Sequence, residues 1–258
     1  MALGYVLVRR PYMLAHRGAS AYAPENTFAA FDRAIALKAD GIETDVRASK
    51  DGELVLVHDA RVDRTTDGEG AVADLTLAEL QALDAGAWFN PRYAGERIVT
   101  AEAFLERYGG RLPLCIEVKQ PGVEAQLVAL VRKRSLLFGK PPADVGSREQ
   151  LALPPVGFTS FSFDACLAVK KASNDAYVGF LTRELTEDSI KRVAEAGLEQ
   201  ICPPAETCMS DLVLAARDRG LSVRAWGVGD HEALRQAVKA GVDGLTCNWP
   251  DWSLDPSL

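Results

Sequence analysis

The chain has 258 residues, 48% of them hydrophobic and 25% charged, which is ordinary for a globular α/β protein and leaves enough apolar side chain for one large core. Its formal net charge of −7 argues against nonspecific nucleic-acid binding, which needs a basic footprint, and obliges an anionic small molecule to find a local positive site. The five cysteines, Cys115, Cys166, Cys202, Cys208 and Cys247, are odd in number and include no Cys-x-x-Cys, so neither a disulfide framework nor a zinc site is expected.

Met1–Val8 is apolar, but Arg9 and Arg10 follow the apolar run, where a secretion signal carries its charge first. No segment approaches the length of a membrane span, so no stable membrane association and a cytoplasmic location are expected. The first predicted strand, near 12–16, stops abruptly on His16 and Arg17. Pro24-Glu25-Asn26-Thr27 then precedes an apolar periodicity through Phe28, Phe31, Ala34, Ile35 and Leu37, which predicts an amphipathic helix over 26–38 capped by Asn26 or Thr27. In the next strand, near 41–46, alternation puts Glu43 and Asp45 on one face and Ile42, Thr44 and Val46 on the other. Two neighbouring carboxylates at a strand end are costly unless something positive sits between them.

A further apolar run, Leu54-Val55-Leu56-Val57, ends on His58. The stretch from about Asp59 to Thr100 is too long for a structureless connection and is expected to form a small insertion subdomain over the site, with a helix from Thr76 to Leu83. Trp88 and Phe89 are expected to pack it down. The strand near 112–118 repeats the earlier pattern, with Glu117 and Lys119 on a common face and Cys115 pointing the same way as a small buried residue. Three strand-end carboxylates and two strand-end histidines thus read as a metal site flanked by acid–base groups. Glu43, Asp45 and Glu117 offer only oxygen ligands, so one divalent cation, Mg2+ or Ca2+, is expected before zinc.

Residues 139–155 read as a variable surface loop rich in Pro and Gly. Further strands are predicted near 155–160, 176–181, 199–202, 221–226 and 242–247, with helices near 100–108, 122–137, 163–173, 186–196, 207–219 and 231–240. Gly41, Gly197, Gly220 and Gly241 stand at the helix-to-strand handovers as left-handed caps or turns. Eight strands alternating with helices describe a (β/α)8 TIM barrel with the insertion between its second and third strands, a doubly wound open sheet being the competitor by pattern alone. Arg224, two residues before Trp226, calls for a carboxylate partner, and His231 is expected in solvent.

His16-Arg17-Gly18, Pro24-Glu25-Asn26-Thr27, Glu43-x-Asp45-Val46, Asp51-Gly52, His58-Asp59, Arg64-Thr65-Thr66-x-Gly68-x-Gly70 and Glu117-x-Lys119 occur in the order and spacing of the glycerophosphodiester phosphodiesterase family. The chain resembles that family from about Leu14 to Pro250. The resemblance implies a (β/α)8 barrel and hydrolysis of small glycerophosphodiesters, such as glycerophosphocholine or glycerophosphoethanolamine, to glycerol 3-phosphate and an alcohol. It further implies attack by a substrate hydroxyl and opening of the resulting cyclic phosphate by water. Arg17 and Lys119 would then absorb charge on the phosphoryl oxygens, and His16 and His58 would serve as base and acid, with the reverse assignment open. Phe161, after Thr159-Ser160, and Trp226 match family positions and are expected to line the substrate pocket.

The chain departs from the family pattern at Gly227-Val228-Gly229, at Thr246-Cys247-Asn248 and at Val99-Thr100-Ala101. These departures bear on the far wall of the pocket. Two other readings share the residues: a lysophospholipid or sphingolipid headgroup phosphodiesterase, and a barrel that binds phosphodiesters without catalysis.

Overall fold

The structure is a computed structural model and describes residues 10–134, 136 and 153–254; most of the predicted 139–155 loop and the apolar N-terminal run lie outside the described residues. Short apolar runs form nine strands: β1 (Tyr12–His16), β2 (Gly41–Ala48), β3 (Leu54–Leu56), β4 (Leu114–Val118), β5 (Val156–Ser160), β6 (Tyr177–Leu181), β7 (Gln200–Cys202), β8 (Ser222–Val228) and β9 (Gly244–Cys247). All but β3 pair in parallel in the order β1-β9-β8-β7-β6-β5-β4-β2, and β1 also pairs with β2. That closes an eight-stranded barrel, and the open-sheet alternative is gone. Near-continuous burial along the strands is what a sheet covered on both faces requires.

Eight helices connect or flank the strands: α1 (Phe28–Ala36), α2 (Leu77–Ala82), α3 (Ala101–Tyr108), α4 (Glu124–Lys133), α5 (Phe163–Ala172), α6 (Glu187–Glu195), α7 (Ser210–Asp218) and α8 (His231–Ala240). Thr27, Thr100, Ser162, Thr186 and Asp230 cap five of them, each side chain accepting a backbone N–H three residues on. Thr27, rather than Asn26, is therefore the cap of α1. After β9 the described chain runs into a short 3-10 turn, Pro250–Leu254.

Gly197, Gly220 and Gly241 take positive φ as expected, but Gly41 does not. The left-handed residue at that handover is Lys38. Gly41 lies inside β2, where an added Cβ would stand 2.6 Å from the Pro113 carbonyl oxygen, so close backbone approach explains the glycine. Strand β2 also runs past its predicted end to Ala48, because the antiparallel β3 extends the ladder beyond the barrel rim.

Residues 59–100 hold two 3-10 turns and α2, which begins at Leu77 behind a Thr76–Glu79 capping box. Val55, Val57, Val62, Val72, Leu80, Ala85 and Ile98 form a buried cluster separate from the barrel core. Trp88 donates Nε1–H to the Ala85 carbonyl at 2.9 Å and meets Phe89 edge-on, so both rings pack within the segment. Tyr93 Oη donates to the Tyr22 carbonyl at 2.8 Å, tying the segment to the β1–α1 loop.

Candidate functional site

Strand register does most of the assembly. His16 on β1 is the direct partner of Glu43 on β2, and Asp45 on β2 is the direct partner of Glu117 on β4. Side chains two apart on β2 share the interior face, so all three carboxylates converge, with ligand oxygens within 4.8 Å of one another. Glu43 and Asp45 lie mid-strand rather than at the strand end that the sequence suggests, since β2 continues to meet β3. His58 follows the apolar run 54–57, as the sequence suggests, and that run forms the antiparallel β3. The antiparallel β3 turns the chain back toward the rim, Leu56 standing opposite Val46, and His58 follows two residues later. Arg47 fixes that return by donating Nε–H and Nη2–H to the His58 carbonyl at 3.0 and 2.9 Å.

One cavity of about 240 Å3 is lined by His16, Arg17, Glu43, His58, Glu117, Lys119, Phe161 and Trp226, with Asp45 beneath the cluster. Every site residue expected from the sequence is thus brought to one place. Phe161 and Trp226 meet edge-to-face with centroids 5.2 Å apart and form its apolar wall. Trp226 is pinned by Nε1–H to the Thr182 and Cys202 carbonyls at 3.2 and 3.0 Å. Behind it, Gly227 has φ +73 where the β8–β9 register slips between Ala225 and Val228, a bulge that a side chain would strain.

The carboxylate cluster carries unmet charge. Burial, with the nearby Asp45 charge, pushes Glu43 and Glu117 up to about 7. Burial opposes ionisation of Asp45 as well, but Arg17 and Lys119 outweigh it and hold Asp45 below the usual carboxylate range. Lys119 Nζ lies 2.6 Å from Glu117 and 3.3 Å from Asp45, and Arg17 Nε lies 3.2 Å from Asp45. Even so, the buried Asp45 Oδ1 has no hydrogen bond. A buried carboxylate oxygen with only the Lys119 ion pair at 3.3 Å, among three converging carboxylates, fits a hard divalent cation.

The histidines are held by unlike partners. His16 Nδ1 lies 2.6 Å from Asn248 Oδ1, which also accepts from Ser20 Oγ at 3.0 Å. An amide oxygen accepts only from a protonated Nδ1, which leaves the Nε2 lone pair free. Burial and the Arg17 charge lower His16 to about 4. His58 Nδ1 lies 2.6 Å from the Asp59 carboxylate. Burial lowers His58 too, against the raising pull of Asp45 and Asp59.

Five residues outside the expected set complete the site. Glu25 accepts from Arg17 Nη1 at 2.9 Å and from both terminal nitrogens of Arg64 at 2.8 Å, and Arg64 Nε donates to Asp59 at 2.6 Å. Arg17 and His58 are thereby joined through Glu25, Arg64 and Asp59. Asn26 donates Nδ2–H to Asp45 Oδ2 at 3.0 Å and accepts from Thr44 at 2.8 Å. Glu25, Asn26, Asp59 and Arg64 sit in motifs visible in the sequence, but nothing local shows what they hold. Asn248, the fifth, stood out only as a departure from the family pattern.

The expected carboxylate partner of Arg224 is corrected. Arg224, 2% exposed, has no carboxylate at hydrogen-bond distance among the described residues. It bonds Gln200 Oε1 at 3.2 Å, Thr246 Oγ1 and Cys202 Sγ at 3.5 Å, partners that come from neighbouring barrel strands. His231 is exposed, as expected, and its ring stacks on Trp252 with centroids 4.2 Å apart.

Residues 16–252 match the family described as glycerophosphoryl diester phosphodiesterase. A glycerophosphodiester phosphodiesterase of Caldanaerobacter subterraneus subsp. tengcongensis is 35% identical over 245 residues, 93% of this chain and 94% of that protein. The crystal structure of a glycerophosphodiester phosphodiesterase from Agrobacterium tumefaciens superposes with a TM-score of 0.78 at 30% identity, covering 93% of this chain and 97% of that one. An Oleispira antarctica phosphodiesterase, in complex with the product sn-glycerol-3-phosphate, superposes with a TM-score of 0.80 at 27% identity, covering 95% and 96%.

Proposed function

The chain belongs to the glycerophosphoryl diester phosphodiesterase family, and from that premise we propose that it hydrolyses small glycerophosphodiesters to glycerol 3-phosphate and an alcohol, using a divalent cation and two histidines. Glu43, Asp45 and Glu117 would hold Mg2+ or Ca2+, which when bound supplies fixed positive charge to the phosphoryl oxygens. Arg17 and Lys119 add to that charge from either side of Asp45. Removing one such group costs roughly 10²–10³ in rate.

His16 is the base of the first step. Its Nε2 takes the proton of the substrate hydroxyl beside the phosphorus, as that oxygen forms the new P–O bond of a cyclic phosphate. His58 is the acid and delivers its Nε2 proton to the departing alkoxide as the old P–O bond breaks. Water then opens the ring with the roles exchanged, His58 taking the water proton and His16 returning its own to the substrate oxygen. The observation that carries this assignment is the contrast in partners: the Asn248 amide brings no charge to His16, whereas the Asp59 carboxylate pulls His58 toward its cationic form. Phe161 and Trp226 give the glycerol backbone its apolar wall. The segment 59–100 restricts the entrance, as a subdomain of a single barrel domain.

A coupled assay for glycerol 3-phosphate release from glycerophosphocholine tests the reading. His16→Ala and His58→Ala are each expected to lose roughly 10²–10⁴-fold in kcat, with unchanged circular dichroism and cation binding. Full activity in either variant contradicts it.

A further inference from the structure

A second cavity, of about 350 Å3, lies on the far side of Phe161 and is lined by Glu117, Lys119, Gln120, Phe161, Ser162 and Arg183 among others. It shares Glu117, Lys119 and Phe161 with the cavity that holds the histidines, so a diester seated at the carboxylates can extend from one into the other. The first cavity, walled by Phe161 and Trp226 and backed by Arg224 and Thr246, suits the glycerol half. The second is left for the alcohol half.

We propose that this second cavity seats the leaving alcohol and favours glycerophosphodiesters whose alcohol carries a further anionic group. The inference rests on the phosphodiesterase reading above and refines its substrate class. Arg183 is exposed and makes no ion pair among the described residues. Its guanidinium carbon lies over the Phe161 ring, 5.6 Å from the centroid, and Lys119 Nζ lies over the same ring at 5.9 Å. Glu117 is the one carboxylate in the lining, and Lys119 neutralises it at 2.6 Å. The cavity therefore presents net positive charge inside a molecule whose formal net charge is −7.

An aromatic face is what a trimethylammonium or ammonium group would seek, and protein cations already occupy the Phe161 ring. A choline or ethanolamine alcohol would meet like charge there. A phosphate or carboxylate on the alcohol would meet Arg183 with a planar fork of donors and no competing carboxylate.

The test compares kcat/KM for glycerophosphoinositol 4-phosphate and glycerophosphoinositol, which differ by one phosphate on the same alcohol, with glycerophosphocholine as a third substrate. At low salt the phosphorylated substrate is expected to be preferred by about threefold to tenfold, the size of a partly exposed charge pair. Arg183→Lys should keep the preference, Arg183→Ala should bring it to about one, and Arg183→Glu should invert it. A wild-type ratio of one, or a ratio that neither Arg183→Ala nor Arg183→Glu changes, overturns the inference and leaves the phosphodiesterase reading in place. Failure to release glycerol 3-phosphate from any of the three substrates overturns both.

Discussion

Asn248 and Asp59 differ in one functional group beside otherwise similar histidines, and this difference yields a prediction at the scale of single residues. Asn248→Asp would set a carboxylate against His16 Nδ1. The added charge favours the imidazolium, so the His16 pKa rises and the acidic limb of the kcat/KM profile moves to higher pH. Asn248→Ala removes the orienting acceptor, and loss of alignment of this kind costs up to roughly 10²-fold in kcat. A pH–rate series on the two variants checks both. The sequence made His16, His58, Arg17, Lys119 and the three carboxylates legible because strand alternation and chemistry both mark them. It did not make the partners legible. Asn248 stands 232 positions from His16, and no local pattern announces a contact made only when β1 and β9 pair.

Among the elements, β3 matters most for the site. It is three residues long, antiparallel in an otherwise parallel sheet, and it alone returns His58 to the level of the carboxylates. The apolar run that forms it was plain in the sequence, but its direction was not, because alternation carries no information about which way a strand runs. Gly41 failed as a helix cap for a related reason: the sequence shows a glycine at a handover, whereas the Pro113 carbonyl it accommodates comes from another strand connection. Arg47→Ala should loosen the His58 backbone and lower kcat while leaving global stability nearly unchanged. Its guanidinium bonds only the His58 carbonyl among its hydrogen bonds within the described residues. Leu80, fully buried in the cluster beneath residues 59–100, belongs to a different prediction. Leu80→Ala should cost about 2–5 kcal/mol, seen as faster amide exchange in that segment with the barrel strands still protected.

Closure of the barrel gathers the acidic groups and leaves them short of positive charge, which sets the behaviour of the whole molecule. Glu43 and Glu117 sit at about 7 in the metal-free fold, above the ordinary 4.5. Between those values the folded chain binds more protons than the unfolded one, so their contribution to metal-free stability is full at low pH and is lost as pH rises through 7. A cation must displace these protons, so its stabilisation should be larger at pH 8 than at pH 6. Thermal unfolding with and without Mg2+ at the two pH values measures this. The eight strands were legible from their alternation with helices, but their closure was not, because the same alternation also suits an open sheet until β1 is seen to pair with both β2 and β9. No described helix is long and apolar enough to cross a membrane.

The most direct measurement is an anomalous difference map from crystals grown with Mn2+ and sn-glycerol 3-phosphate. One peak is expected, within about 2.0–2.6 Å of oxygens from Glu43, Asp45 and Glu117, with the phosphate beside Arg17 and both imidazoles facing it. A peak held by other residues, or a phosphate seated away from His16 and His58, would contradict the hydrolytic site described above.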